Sequence, residues 1–80
     1  MSLSEIKKLV LNWGAQHISS DFGEGHLKKD ISLLGLDSID VVEFCEYLEL
    51  KFGIEVDIDW VMGFETLNDL VDQVKVKLEN

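Results

Sequence analysis

Between Asp37 and Gly53 the stretch "DSIDVVEFCEYLELKFG" sorts its residues by side. Each residue advances roughly 100° around an α-helix axis. With Asp40 at zero, Val41, Phe44, Cys45, Leu48 and Phe52 share a stripe centred near roughly 95° by the same rotation. Asp40, Glu43, Glu46 and Glu49 fan across the opposite half. That is an amphipathic helix, apolar on one face and acidic on the other. Three apolar residues break the rule: Ile39, Val42 and Leu50 fall among or beside the acids. Ile39 and Val42 flank Ser38 within one turn and read as contacts for a partner.

Three further helical stretches surround this one. Ser2-Leu3-Ser4-Glu5 has capping-box spacing, and Leu3, Ile6, Val10 and Trp13 follow at helical intervals. This helix is expected to run to about Ile18, with Gly14 a weak point. The polar connection "SSDFGEGHLKKD" reads as loop, and Phe22, Leu27, Ile31 and Leu34 read as anchors on the core. "GIEVDIDWVMGF" alternates briefly like a strand, yet a lone strand has no partner here. It reads as an extended segment leading into a short helix over about 58–62, stopped by Gly63. Thr66-Leu67-Asn68-Asp69 opens the last helix at capping-box spacing, and Leu67, Leu70, Val71, Val74 and Leu78 form its inner face. The sum is an all-α fold: a small four-helix bundle of three main helices plus one short third helix. Trp13, Phe52 and Phe64 are expected in its core. Residues 1–80 read as a single domain.

Charge narrows the function. Sixteen acids oppose seven lysines, for a net charge of −9, which argues against nucleic acid or an anionic membrane surface as partner. From Leu36 to Asp59 stand eight acids and one base, Lys51. Such a face steers towards basic protein surfaces. A single cysteine, Cys45, excludes an internal disulfide and suits a reducing cytoplasm. No apolar run reaches membrane-spanning length, and the N-terminus lacks a signal-peptide pattern.

The start of the acidic helix singles out a hydroxyl. Were Ser38 the N-cap, the residue three on would be Val41, which cannot return the bond. With Asp37 as N-cap that residue is Asp40, whose charge suits the first turn. Asp37 therefore caps, Ser38 becomes the first helical residue, and its hydroxyl is released from capping. Gly35 lets the backbone turn into the helix. A free serine at a positive helix end is a place to receive an anionic phosphodiester.

Catalytic readings fail in turn. "GLDSI" lacks the G-x-S-x-G spacing and the preceding strand of a nucleophile elbow. His17 and His26 are not tied to Ser38 by any triad signature. From Asp57, the sixth and twelfth positions of a calcium loop hold Met62 and Asn68, which rejects the EF-hand. One cysteine and two distant histidines make no zinc site. The chain is not expected to be an enzyme.

"LGLDSID", followed by "VVEFCEYLELKFGIEVD" and "FETLNDLVDQV", resembles acyl carrier proteins and the related peptidyl and polyketide carrier domains. The likeness runs from about Ile31 to Val74. It implies an acyl-carrier-like helical fold and a 4′-phosphopantetheine arm on Ser38, transferred from coenzyme A by a separate, magnesium-dependent phosphopantetheinyl transferase. Asp37 would help position the serine and that metal. The arm's thiol would hold acyl groups as thioesters for fatty-acid, polyketide or related specialised synthesis. Acyl-transferring, ligase or synthase enzymes with basic docking surfaces would be the partners. They would meet Ile39, Asp40, Val42, Glu43, Glu46 and Glu49 on a monomeric cytoplasmic carrier. The alternative is an acidic helical adaptor of the same fold that is never loaded, with Ile39 and Val42 as a static interface.

Overall fold

Three long helices carry the structure, a computed structural model that describes residues 1–79. They are α1 (Leu3–His17), α3 (Ser38–Phe52) and α5 (Leu67–Glu79), with two short helices, α2 (Glu24–Leu27) and α4 (Ile58–Met62), set in the connections. A 3-10 turn, Ile31–Leu33, lies between α2 and α3. The fold is all-α, as expected, but has two short helices rather than one. The added helix, α2, lies in the stretch read as loop. Its Glu-Gly-His-Leu sequence has little intrinsic helicity. It forms where Leu27, only 1% exposed, is drawn into the core.

Each long helix starts as its side chains dictate. At α1 the Ser2 hydroxyl accepts from the Glu5 amide at 3.2 Å, and the Glu5 carboxylate accepts from the Ser2 amide at 3.1 Å. The same hydrogen bonds hold the Glu5 carboxyl below its usual range. At α5 the Thr66 hydroxyl accepts from the Asp69 amide, and no return bond forms among the described residues. Asp57 caps α4 by accepting from the Trp60 amide at 2.7 Å. Helix α3 ends at Gly53, whose φ of +65° a side chain would resist.

Helices α1 and α3 run antiparallel. The Tyr47 hydroxyl donates to the Leu9 carbonyl at 2.8 Å. Trp13 packs on Phe44 at 4.7 Å, and His17 faces Glu43 at 3.7 Å, so residue numbers climb on one helix as they fall on the other. The stripe read from α3 is buried as expected: Val41, Phe44, Cys45, Leu48 and Phe52. Ile6, Val10 and Trp13 of α1 and Leu67, Leu70, Val71 and Val74 of α5 close the core around it. Leu3 is 41% exposed because it occupies the first turn, beyond the end of the core. Two expectations need correction. Phe64 and Leu78 are only partly buried, packed on the core from outside.

Gly14 is a packing site as well as a low-propensity residue. A Cβ there would stand 2.2 Å from Phe22 Cδ1. The missing side chain lets the Phe22 ring seat directly on α1, which pins the connection. The connection is also tied to α5: the Ile31 amide donates to the Glu65 carbonyl at 2.8 Å, beside a bridge between Asp30 and Thr66.

Candidate functional site

The approach to Ser38 is built residue by residue. The 3-10 turn ends at buried Leu34, and Gly35 then turns the chain with φ of +74°. Leu36 is half-buried and Asp37 is extended. Asp37 Oδ1 accepts from the Asp40 amide at 2.8 Å, and Asp40 Oδ2 accepts from the Asp37 amide at 3.2 Å. This is the reciprocal box read from the spacing, with an aspartate at both ends.

Ser38 is therefore the first residue of α3 and is exposed. Its hydroxyl makes no hydrogen bond among the described residues, and neither its amide nor that of Ile39 has a partner there. A free hydroxyl, two unpartnered amides and the positive end of a 15-residue helix meet at one point. Among the described residues no base is hydrogen-bonded to the hydroxyl. The two histidines are engaged elsewhere, His17 with Trp13 and Glu43, His26 with Phe22 and Gly23. Among the described residues no cluster of three or more His, Cys, Asp or Glu is placed to hold a metal ion.

Beside the serine lies an apolar cleft of about 310 Å³ between α3 and α4, lined by Leu36, Asp37, Ser38, Val41, Val42, Ile58 and Met62. Ile58 and Met62 were not singled out from sequence. They sit four apart on one face of α4, but a five-residue helix gives too little periodicity to assign that face. Leu33, in the turn before Ser38, is 73% exposed and was likewise not singled out from sequence.

The acidic half of α3 is arranged as its spacing implies, with differences among its members. Glu43, Glu46 and Glu49 are exposed, whereas Asp40 is half-buried and committed to the cap. Glu43 faces His17, and Glu49 Oε2 accepts from the Val56 amide at 3.4 Å. Glu46 makes no ion pair or hydrogen bond among the described residues. Ile39 and Val42 stand out at 67% and 39% exposed. Leu50, 81% exposed, is the apolar residue at the far end of the same helix. Cys45 lies beneath this face, and burial first, then the Glu49 and Asp57 charges, push its thiol pKa up.

Comparison with known proteins supplies the context for this geometry. A family profile described as "Phosphopantetheine attachment site" matches residues 16–74. The chain is 34% identical over 80 residues to the acyl carrier protein of Prochlorococcus marinus (strain MIT 9515), covering 96% of this chain and 98% of that one. It is 40% identical over 50 residues to acyl carrier protein 1, chloroplastic, of Spinacia oleracea, covering 62% of this chain and 36% of that one. The second match thus spans about a third of the plant protein's length. No solved structure matches the chain.

Proposed function

This chain belongs to the phosphopantetheine-attachment family of acyl carrier proteins, and from that premise we propose that Ser38 is the residue carrying the arm. Proteins of this family are carriers rather than enzymes, and their cofactor is 4′-phosphopantetheine. When attached, the arm supplies a terminal thiol on which acyl groups ride as thioesters. The observation that carries the assignment is the unencumbered Ser38 hydroxyl at the open end of α3.

The surrounding residues fit that group. The amides of Ser38 and Ile39, with the α3 dipole, favour a phosphodiester oxygen. Asp37 spends Oδ1 on the cap, and Oδ2 makes no hydrogen bond among the described residues. Oδ2 is left for the metal that a phosphopantetheinyl transferase brings to the serine. The apolar cleft edged by Val42, Ile58 and Met62 offers shelter to the first carbons of an acyl chain.

Docking follows the same face. Ile39 and Val42 give apolar contact next to the serine, and Glu43, Glu46 and Glu49 attract basic enzyme surfaces. Asp40 contributes charge while holding the cap. Synthase and transferase enzymes are the general partners of this family; delivery to fatty-acid, polyketide or related specialised synthesis is our reading for this chain. We take residues 1–80 as one monomeric carrier domain working in a reducing compartment such as the cytoplasm. No helix among the described residues is long and apolar enough to cross a membrane.

The test is chemical. The chain is incubated with coenzyme A, magnesium and a broad-specificity phosphopantetheinyl transferase, and intact mass is recorded for wild type and Ser38→Ala. An adduct on wild type alone is expected. A wild-type chain that stays unmodified with several such enzymes would leave the unloaded adaptor as the better reading.

A further inference from the structure

The connection between α1 and α3 closes through one imidazole. Phe22, 8% exposed, seats on bare Gly14, and the His26 ring stacks on Phe22 with centroids 4.8 Å apart and planes inclined by 22°. From there His26 Nδ1 accepts the Gly23 amide hydrogen at 3.0 Å. Gly23 is the N-cap of α2, so His26 reaches back to the cap from the third helical position, where Glu or Gln commonly does so. An imidazole accepts at Nδ1 only while that nitrogen carries no proton, so the neutral ring holds its hydrogen on Nε2. Protonation sets an N–H at Nδ1 against the Gly23 N–H, and two donors then face each other.

We propose that His26 is a pH-sensitive latch on this connection, holding α2 closed over Phe22 when neutral and releasing it when protonated. Charged groups of both signs stand around it. Asp21 lies close enough for His26 and Lys29 to act on its carboxyl, and Glu24 opens α2 itself. Neither acid supplies an acceptor for the Gly23 amide, and Lys28 and Lys29 follow α2. Helix α5, packed against α2, buries Leu67, Leu70, Val71 and Val74 and exposes Asp69 and Asp72. Helix α1 contributes Gly14, and its own imidazole, His17, is stacked on Trp13 facing Glu43.

Two measurements on the full chain test the latch. Nitrogen-15 NMR of the His26 ring at neutral pH is expected to find the hydrogen on Nε2 and Nδ1 accepting; a hydrogen on Nδ1 overturns the proposal. Amide hydrogen exchange, corrected for intrinsic rates, is then compared at about pH 7.5 and about pH 5, across the range in which imidazoles titrate. Wild-type protection at Gly23 is expected to fall roughly two- to tenfold, the worth of one hydrogen bond. His26→Gln, which keeps an acceptor that does not titrate, is expected to hold its protection at both values. Equal wild-type protection at both pH values refutes the latch, as does a His26→Gln variant that loses as much as wild type.

Discussion

Replacing Gly14 by alanine sets two effects of opposite sign against each other at one position. In an exposed helix interior the change stabilises by about 0.8–1.0 kcal/mol, because glycine loses more backbone freedom on folding. Here the new Cβ would meet Phe22 Cδ1, Cε1 and Cγ at 2.2, 2.4 and 2.6 Å, where ordinary contact begins at 3.4 Å. The ring must retreat by about 1.2 Å. It is 8% exposed and backed by His26, so the retreat disturbs the anchor of the whole connection. Overpacking of this kind costs about 1–3 kcal/mol, and complete expulsion of a buried phenylalanine about 1.5–3 kcal/mol. Set against the propensity gain, the net loss is up to about 2 kcal/mol. In a domain of this size that lowers Tm by up to roughly 16 °C. Thermal and urea unfolding followed by circular dichroism measure it. The cycle with Phe22→Ala isolates the cause. Once the ring is gone, Gly14→Ala should turn stabilising by about 1 kcal/mol. A Gly14→Ala chain clearly more stable than wild type, or an equal effect of the change in both backgrounds, would refute the steric contact with Phe22.

Three further outcomes follow from the site. Asp37→Ala removes the cap of α3 and is expected to cost about 1 kcal/mol in urea unfolding, whereas Asp37→Asn, which keeps an acceptor, should cost clearly less. Cys45, buried and with its thiol pKa raised, should react with a disulfide reagent at neutral pH only through opening of the fold. Its rate should therefore rise steeply in urea, and rapid native labelling would contradict the burial. Glu46→Lys reverses an exposed, unpaired charge. It should leave stability within about 0.5 kcal/mol of wild type while slowing partner reactions several-fold at low salt, a difference that shrinks as salt is added. Equal losses of stability and partner rate would make Glu46 structural.

What could be read before the structure depended on how local each cause was. The Asp37–Asp40 box is a three-residue spacing, and the buried stripe of α3 is a repeat within one helix, so both were legible. The bounds of α4 were legible for the same reason, its stop marked by Gly63. Helix α2 was not, because four residues with a glycine among them are too short to show a helical period, and Leu27 and the His26 contact fix their shape. Gly14 read as a weakness because its partner, Phe22, lies across a turn of chain that spacing does not describe. Leu78 shows the opposite error: its periodicity is helical, but the core ends before it reaches it. The apolar edge made by Ile58 and Met62 needed α4 to be placed against α3 before it could be seen beside Ser38.

The central claim is that, of the six serines in the chain, Ser38 takes the arm. Tandem mass spectrometry of the transferase-treated chain tests this most directly, by locating the phosphopantetheine on one proteolytic fragment. The adduct is expected on Ser38, with Ser2, Ser4, Ser19, Ser20 and Ser32 unmodified. An adduct on any of those five, or none on Ser38 under conditions that load another carrier, would contradict the account.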